Sequence, residues 1–144
     1  MATVNAYLMF DGNCEAVFNF YKSVFDKELS TFSRFGEIPA GEEMPALDEE
    51  GNNRVMHVSL PISAENILMG SDIMPGMGAG LTVGDNFSVT IGASSKEEAD
   101  QLFTALSEGG KVKMPIEMTF WNAYFGMLTD KFGINWMVNF DLPK

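Results

Sequence analysis

The chain has 144 residues, 46% of them hydrophobic, and a formal net charge of −11. That length gives one domain, or two small modules sharing a core; the acidity and the lack of a basic stripe exclude a nucleic-acid partner. No apolar run approaches the roughly 20 residues of a membrane-spanning helix, and a single cysteine, Cys14, excludes an internal disulfide and fits a reducing compartment. Residues 4–10 read as a strand, ended by the turn Asp11-Gly12-Asn13. Residues 15–25 read as a helix, because Ala16, Phe20 and Val24, with Val17 and Tyr21 beside them, recur at helical spacing. Asn13 is the expected N-cap, and Glu15 sits in the first turn against the helix dipole. Residues 29–35 form a second expected strand. Residues 36–53, rich in Gly, Pro and Glu, read as a long loop. Residues 54–61 and 66–71 are two further strands joined by a hairpin at Ser63-Ala64-Glu65. Residues 70–85, dominated by Gly, Met and Pro, read as a connector.

The second half repeats the plan. Residues 87–91 form a strand, and Ser94-Ser95-Lys96-Glu97 opens a helix with Ala99, Leu102, Phe103 and Leu106 on its buried face. Gly109-Gly110 ends that helix, and strands at 112–118, 120–128 and 134–140 follow. In the turn Thr129-Asp130-Lys131-Phe132-Gly133, the glycine is free to take positive φ. The only tryptophans, Trp121 and Trp136, fall on the two strands flanking it, which makes a ring-rich wall suited to a small molecule. Acidic residues at 37–50 and 97–100 read as solvated surface; Glu42, Glu43, Asp48, Glu49 and Glu50 lack the oxygen spacing of a calcium loop. The N-terminal Met1-Ala2-Thr3-Val4 has no basic region leading into an apolar stretch, so no signal peptide is expected and the cytoplasm is the default location.

Each half therefore has the order β-α-β-β-β. Short echoes support a repeat: Glu15-Ala16 with Phe20 against Glu98-Ala99 with Phe103, and Ile67-Leu68-Met69 against Asn135-Trp136-Met137. The expected fold is α+β, two βαβββ modules whose curved mixed sheets surround a cleft, with helices on the outer faces. The expected division is 1–72, a connector at 73–85, and 86–144, one domain overall. Concave, mostly apolar faces with a few polar groups are where small ligands bind.

Five segments carry a family resemblance: Tyr7-Leu8-Met9-Phe10-Asp11-Gly12-Asn13-Cys14-Glu15-Ala16 with Phe20-Tyr21, Arg34-Phe35-Gly36-Glu37, Val55-Met56-His57, Ile67-Leu68-Met69-Gly70-Ser71-Asp72, and Glu117-Met118-Thr119-Phe120-Trp121 through Val138-Asn139. With them the chain resembles a PhnB-like protein of the vicinal-oxygen-chelate superfamily, which includes glyoxalase I, extradiol dioxygenases and bleomycin-resistance proteins. The resemblance implies two βαβββ modules and a homodimer. Members of this branch are often labelled as ubiquinone-pathway methyltransferases. The residues do not support that label, because neither strand-to-helix turn, Asp11-Gly12-Asn13-Cys14 or Gly92-Ala93-Ser94-Ser95, is the glycine-rich turn a methyl donor requires.

In metal-bearing relatives the ligands are His, Glu or Gln from the first and last strand of each module. The matching windows here are Asn5-Ala6-Tyr7, Leu68-Met69-Gly70-Ser71, Asn86-Phe87-Ser88-Val89-Thr90 and Asn135-Trp136-Met137-Val138. None contains His, Glu, Gln or Asp, so no metal ligands and no cofactor are expected, and a divalent ion is disfavoured.

The candidate ligand-binding residues are His57, Trp121, Phe125, Arg34 and Glu117. His57, the only histidine, shares a strand face with Val55 and Ser59 by alternation. It reads either as a cleft-facing imidazole that binds an anion or acts as catalytic general base, or as a half-buried histidine bonded to a neighbouring strand. Trp121 is either a flat wall for a ligand or a packing residue, with Phe125 on its face. Arg34 offers a planar fork to an anion or pairs with a nearby carboxylate, and Glu117 is a base at the cleft mouth or a surface glutamate. The methionines, Met69, Met74, Met77, Met114, Met118, Met127 and Met137 among them, line a cleft or fill the core, with the core expected for most. Cys14, at a helix start, is expected to be structural.

These residues leave three readings. The first is a metal-independent small-molecule-binding protein. The second is a lyase, isomerase or dioxygenase-type enzyme using His57 as base, with Glu117 assisting. The third, resting on the acidic loop alone, is a docking partner for another protein.

Overall fold

The structure, a computed structural model, describes residues 2–37, 48–74 and 80–142. The chain divides into two compact units, Met1–Thr82 and Val83–Lys144. The boundary falls inside the expected Gly/Met connector, part of which, including Met77, lies outside the described residues.

The first module contains β1 (Tyr7–Phe10), α1 (Cys14–Phe25), β2 (Thr31–Arg34), a single 3₁₀ turn (Phe35–Glu37), α2 (Glu49–Asn53), β3 (Val55–Pro61) and β4 (Ile67–Asp72). Its sheet order is β1-β4-β3-β2, with β1 and β4 parallel and the other neighbours antiparallel. The second module contains β5 (Val89–Gly92), α3 (Lys96–Ser107), β6 (Lys111–Met118), β7 (Ala123–Thr129) and β8 (Asn135–Asp141). Its order is β5-β8-β7-β6, again with one parallel pair, β5 and β8. This is the expected α+β fold of two βαβββ modules. No helix among the described residues is long and apolar enough to cross a membrane.

Three sequence expectations need correction. The helix face of α1 is not the Ala16, Phe20, Val24 stripe. Cys14, Val17, Phe18 and Tyr21 are the buried residues, and Ala16 is exposed. In α3, Ala99, Leu102, Phe103 and Leu106 have the same i, i+3, i+4, i+7 spacing. The structural counterpart of Phe103 is therefore Phe18, not Phe20, and the Glu-Ala echo misplaces the repeat by two positions.

The N-cap of α1 also differs. Asn13 makes no side-chain capping bond. Instead the Asp72 carboxylate, at the end of β4, accepts from the amides of Gly12 (2.8 Å) and Cys14 (3.0 Å), and from Val55 N–H (2.9 Å). A distant strand end thus satisfies the orphan amides of the helix. In α3 the cap is local: Ser95 accepts from Glu98 N–H, and Glu98 accepts in return from Ser94 N–H.

Thirdly, residues 48–53 are not loop. Asp48 accepts from Gly51 N–H and starts the short α2. Residues 38–47, with Glu42 and Glu43, lie outside the described residues.

Each helix covers one face of its own sheet, α1 against β3 and β4, and α3 against β6, β7 and β8. A glycine makes the close approach possible in each. A Cβ on Gly70 would lie 2.6 Å from the Phe18 ring, and one on Gly126 would lie 2.7 Å from the Phe103 ring.

Candidate functional site

Strand alternation sends Leu8, Phe10, Val58, Leu60 and Leu68 towards α1 and leaves the other face of the first sheet open. The register aligns two rows there, Met9–Ser71–His57–Ser33 and Tyr7–Met69–Ser59–Thr31. Val55 does not share this face as simple alternation predicts. The pairing shifts by one residue between Ser33/His57 and Arg34/Val55, which puts Val55 opposite Arg34, and Val55 is buried.

His57 is bonded through both ring nitrogens. Nε2 lies 2.9 Å from Ser59 Oγ, and Nδ1 lies 3.3 Å from Tyr7 Oη, with the two rings 5.7 Å apart. A neutral imidazole satisfies this chain in two ways. Either Ser59 O–H donates to Nε2 and Nδ1–H donates to Tyr7, or Tyr7 O–H donates to Nδ1 and Nε2–H donates to Ser59. The chain runs from buried Ser59 to Tyr7, which is 44% exposed. Tyr7 Oη is therefore the end that meets solvent or a ligand, as donor in the first arrangement and acceptor in the second. Sequence reading missed Tyr7, because its position opposite His57 depends on β1 pairing with β4, a contact no local pattern specifies.

The open face of the second sheet is built differently. Phe125, Met127 and Thr129 on β7 stand opposite Asn139, Met137 and Asn135 on β8, and Glu117 on β6 stands opposite Phe125. Trp121 is not on a strand. Residues 119–122 form the turn between β6 and β7, closed by Asn122 N–H to Thr119 O and by reciprocal bonds between Thr119 and Ala123. Asn122 has φ of 70°, a left-handed conformation that asparagine tolerates and that ends the extended run. From this turn the Trp121 ring reaches back to lie 6.0 Å from Phe125, and Phe120 packs edge-on to Trp121 at 4.9 Å. Trp121 is 53% exposed and Phe120 97% exposed. Trp136, by contrast, is buried, and its Nε1–H donates to Asp130 at 2.9 Å.

The structure thus brings Trp121, Phe125 and Glu117 to one face of one sheet, and puts His57 on the open face of the other. Arg34 joins neither group. Its fork grips both carboxylate oxygens of Glu15 at 3.0 and 2.9 Å, donates to Asn53 O, and lies over the Phe32 ring on the helix side. The Glu15 carboxylate raises its pKa further. Cys14 is fully buried, and desolvation, with Asp72 and Glu15 nearby, pushes its thiol well above the ordinary range. None of the described methionines belongs to the buried core, against the expectation for most of them. Met69, Met127 and Met137 lie half-buried on the open faces, and Met9, Met114 and Met118 are exposed.

Among the described residues, no group of three or more His, Cys, Asp or Glu side chains is placed to hold a metal ion. On the paired first and last strands, the open faces offer Tyr7, Met9, Met69 and Ser71 in one module, and Thr90, Asn135, Met137 and Asn139 in the other. Hydroxyls, thioethers and neutral amides do not match the imidazole and carboxylate sets that hold transition ions.

Residues 2–139 match the family described as 3-demethylubiquinone-9 3-methyltransferase. The chain is 32% identical over 141 residues to protein YjdN of Escherichia coli, covering 94% of this chain and 93% of that one. Among solved structures, protein PA1353 from Pseudomonas aeruginosa is 35% identical, with a TM-score of 0.82 and 98% of both chains covered. A putative 3-demethylubiquinone-9 3-methyltransferase, PhnB protein, from Bacillus cereus is 26% identical, with a TM-score of 0.72 over 96% of this chain and 99% of that one. A glyoxylase/bleomycin resistance protein/dioxygenase domain from Frankia sp. shares the fold at 12% identity, with a TM-score of 0.65 over 99% of this chain and 93% of that one.

Proposed function

The chain belongs to the PhnB-like family described as 3-demethylubiquinone-9 3-methyltransferase, and from that premise we propose that it is a metal-independent small-molecule-binding protein of the vicinal-oxygen-chelate superfamily. The observation that carries this reading is the chemistry of the open sheet faces. They present rings, thioethers, hydroxyls and amides, with Trp121 against Phe125 and Tyr7 bonded to His57, and among the described residues no chelating set. A ligand there is held by stacking, shape and hydrogen bonds.

Methyl transfer, which the family description names, is not the activity we infer. The turns from β1 to α1 and from β5 to α3 are not the glycine-rich turn a methyl donor requires, and each sheet has one parallel pair rather than a doubly wound parallel arrangement.

The test is a thermal-shift screen against apolar and anionic small molecules, with and without added Mn²⁺, Ni²⁺, Zn²⁺ and Fe²⁺. A true ligand at about a hundred times its Kd stabilises the fold by about 2.7 kcal/mol, and does so with chelator present. No stabilisation across the library, or stoichiometric metal in the purified protein, overturns the reading. We further read the protein as a cytoplasmic homodimer, which analytical ultracentrifugation checks for the dimer.

A second reading rests on the Tyr7–His57–Ser59 chain: His57 as general base for isomerisation or elimination beside a carbonyl. If His57→Ala leaves every detected turnover unchanged, this reading ends.

A further inference from the structure

The second module carries a feature that the aromatic corner does not account for. Over the open face near the start of β8 lies a hollow of about 310 Å³. Ligand pockets run from about 300 to 1,000 Å³, so this one suits a small organic molecule. Met127, Met137 and the buried Asn135 line it, and its rim carries the exposed Asp85 and Lys113 with Ser88. The same Lys113 and Asn135 border an adjoining, more open hollow beside Gly133.

Lys113 reaches this rim through a break in the β6 ladder. Val112 pairs with Leu128 and Met114 with Met127, so two steps along β6 match one step along β7, and Lys113 is the extra residue. Bulges of this kind re-aim a side chain. No described residue hydrogen-bonds or ion-pairs with the Lys113 ammonium group, although Asp85 stands on the same rim. The arginines of the first module, in contrast, are both held by carboxylates. A cation that no described residue pairs, bordering a hollow with two thioethers, matches a ligand with one anionic end and an apolar body. The nearby Asp85 carboxylate favours a monoanion over a dianion, since the second charge would meet repulsion.

We propose that this hollow is a binding site for an organic monocarboxylate, with the Lys113 ammonium group on the carboxylate, Asn135 and Ser88 as neutral hydrogen-bonding groups beside it, and Met127 and Met137 against the apolar body. This deepens the small-molecule reading given above and rests on it. The hollow selects acids over isosteric amides, and Lys113 is the residue that makes the selection.

The experiment titrates protein carrying ¹³C-methyl methionine with octanoate and octanamide, and with phenylacetate and phenylacetamide, for the wild type, Lys113→Gln, Lys113→Arg and Lys111→Gln. The acids are expected to shift the Met127 and Met137 methyl signals. Lys113→Gln weakens acid binding by about tenfold or more and leaves amide binding unchanged. Lys113→Arg retains the preference, and Lys111→Gln, on the same strand, does not alter it. Equal binding of acid and amide, equal loss in the Lys113→Gln and Lys111→Gln proteins, or acids that leave both methyl signals unmoved would each overturn the proposal. If neutral compounds still stabilise the protein in the thermal-shift screen while the acids fail here, the small-molecule reading stands and only the carboxylate site falls. If no compound binds in either experiment, both fall.

Discussion

The two modules share a topology and a buried face but not an open one. Each has one parallel strand pair, one helix with a four-residue buried stripe, and a glycine beneath a phenylalanine ring. Beyond that they part. The first module's open face is tied by hydrogen bonds through Tyr7, His57 and Ser59, whereas the second exposes Phe125, Trp121 and Phe120 beside Met127 and Met137. The comparison teaches that packing holds the helix stripe to one spacing in both modules, with the glycine that admits the ring on β4 in one and β7 in the other, while the uncovered side is free to specialise. What the protein recognises is therefore to be sought in the differences between modules, not in their shared frame.

The largest expected difference concerns two buried aspartates. Asp72 is 2% exposed and ties together α1, β3 and β4 through the amides of Gly12, Cys14 and Val55. Asp130 is 3% exposed but binds locally, to the amides of Phe132 and Ile134 and to the Trp136 indole. Asp72→Ala strands three donors on two separate segments, the start of α1 and β3, and is expected to cost about 3–5 kcal/mol. Asp130→Ala leaves two part-buried turn amides, which water reaches more easily, and one buried indole N–H, and about 2–3 kcal/mol is expected. Urea denaturation of the two variants measures both. Equal losses would show that the long-range cap of α1 is no more important than the local one at the turn.

Cys14 sharpens the same point. Desolvation first, then Asp72 and Glu15, raise its thiol pKa, so the neutral thiol persists in the folded protein through the mildly alkaline range where an unfolded cysteine ionises. Alkylation of native protein at pH 8 is expected to follow the rate of opening, and to accelerate in Asp72→Ala. Labelling as fast as that of a free thiol would contradict the buried position.

Next in size are the glycines. In Gly70→Ala the new methyl meets the Phe18 ring and the Leu8 carbonyl, and in Gly126→Ala it meets the Phe103 ring and the Ile116 backbone. Each is expected to cost about 1–3 kcal/mol, by similar amounts, because the helix approaches both sheets equally closely. A large difference would mean that the buried faces are less alike than their packing indicates.

The β-α-β-β-β order of both modules was legible in the sequence, because apolar periods of 3.6 and 2 are local signals, whereas the short polar α2 has no such period. So was the cap of α3, whose Ser and Glu are four residues apart at most. The cap of α1 was not, since its acceptor lies 58 and 60 residues away from the amides it binds. In the helix stripe of α1, Val17 and Tyr21 were read correctly, but Ala16, Phe20 and Val24 were taken in place of Cys14 and Phe18, because apolar residues occupy most of that helix. His57 and Ser59 were placed on one face by alternation, but Tyr7 entered only through the parallel pairing of β1 with β4. Trp121 was read as a strand residue because Thr-Phe-Trp has strong β propensity, and the positive φ of Asn122 overrides it. The bulge that turns Lys113 towards the hollow has no sequence signature at all.

The smallest expected effect on stability bears most directly on function. Trp121 and Phe120 stand on a turn, with neither ring in the core, so Trp121→Ala is expected to change stability by no more than about 0.5 kcal/mol. His57→Gln removes bonds to Tyr7 and Ser59 and is expected to cost about 1 kcal/mol. Ligand binding should rank the two faces independently of these numbers. For an aromatic ligand found in the thermal-shift screen, Trp121→Ala is expected to weaken affinity about tenfold through lost stacking. His57→Gln should act on ligands that carry a hydroxyl or carbonyl group able to reach Tyr7. A ligand weakened by Trp121→Ala alone is held by the ring-lined face, and one weakened by His57→Gln alone by the hydroxyl-bearing face. Unchanged affinity in both variants, for every ligand found, would leave the Trp121 ring and the His57 chain without a part in recognition.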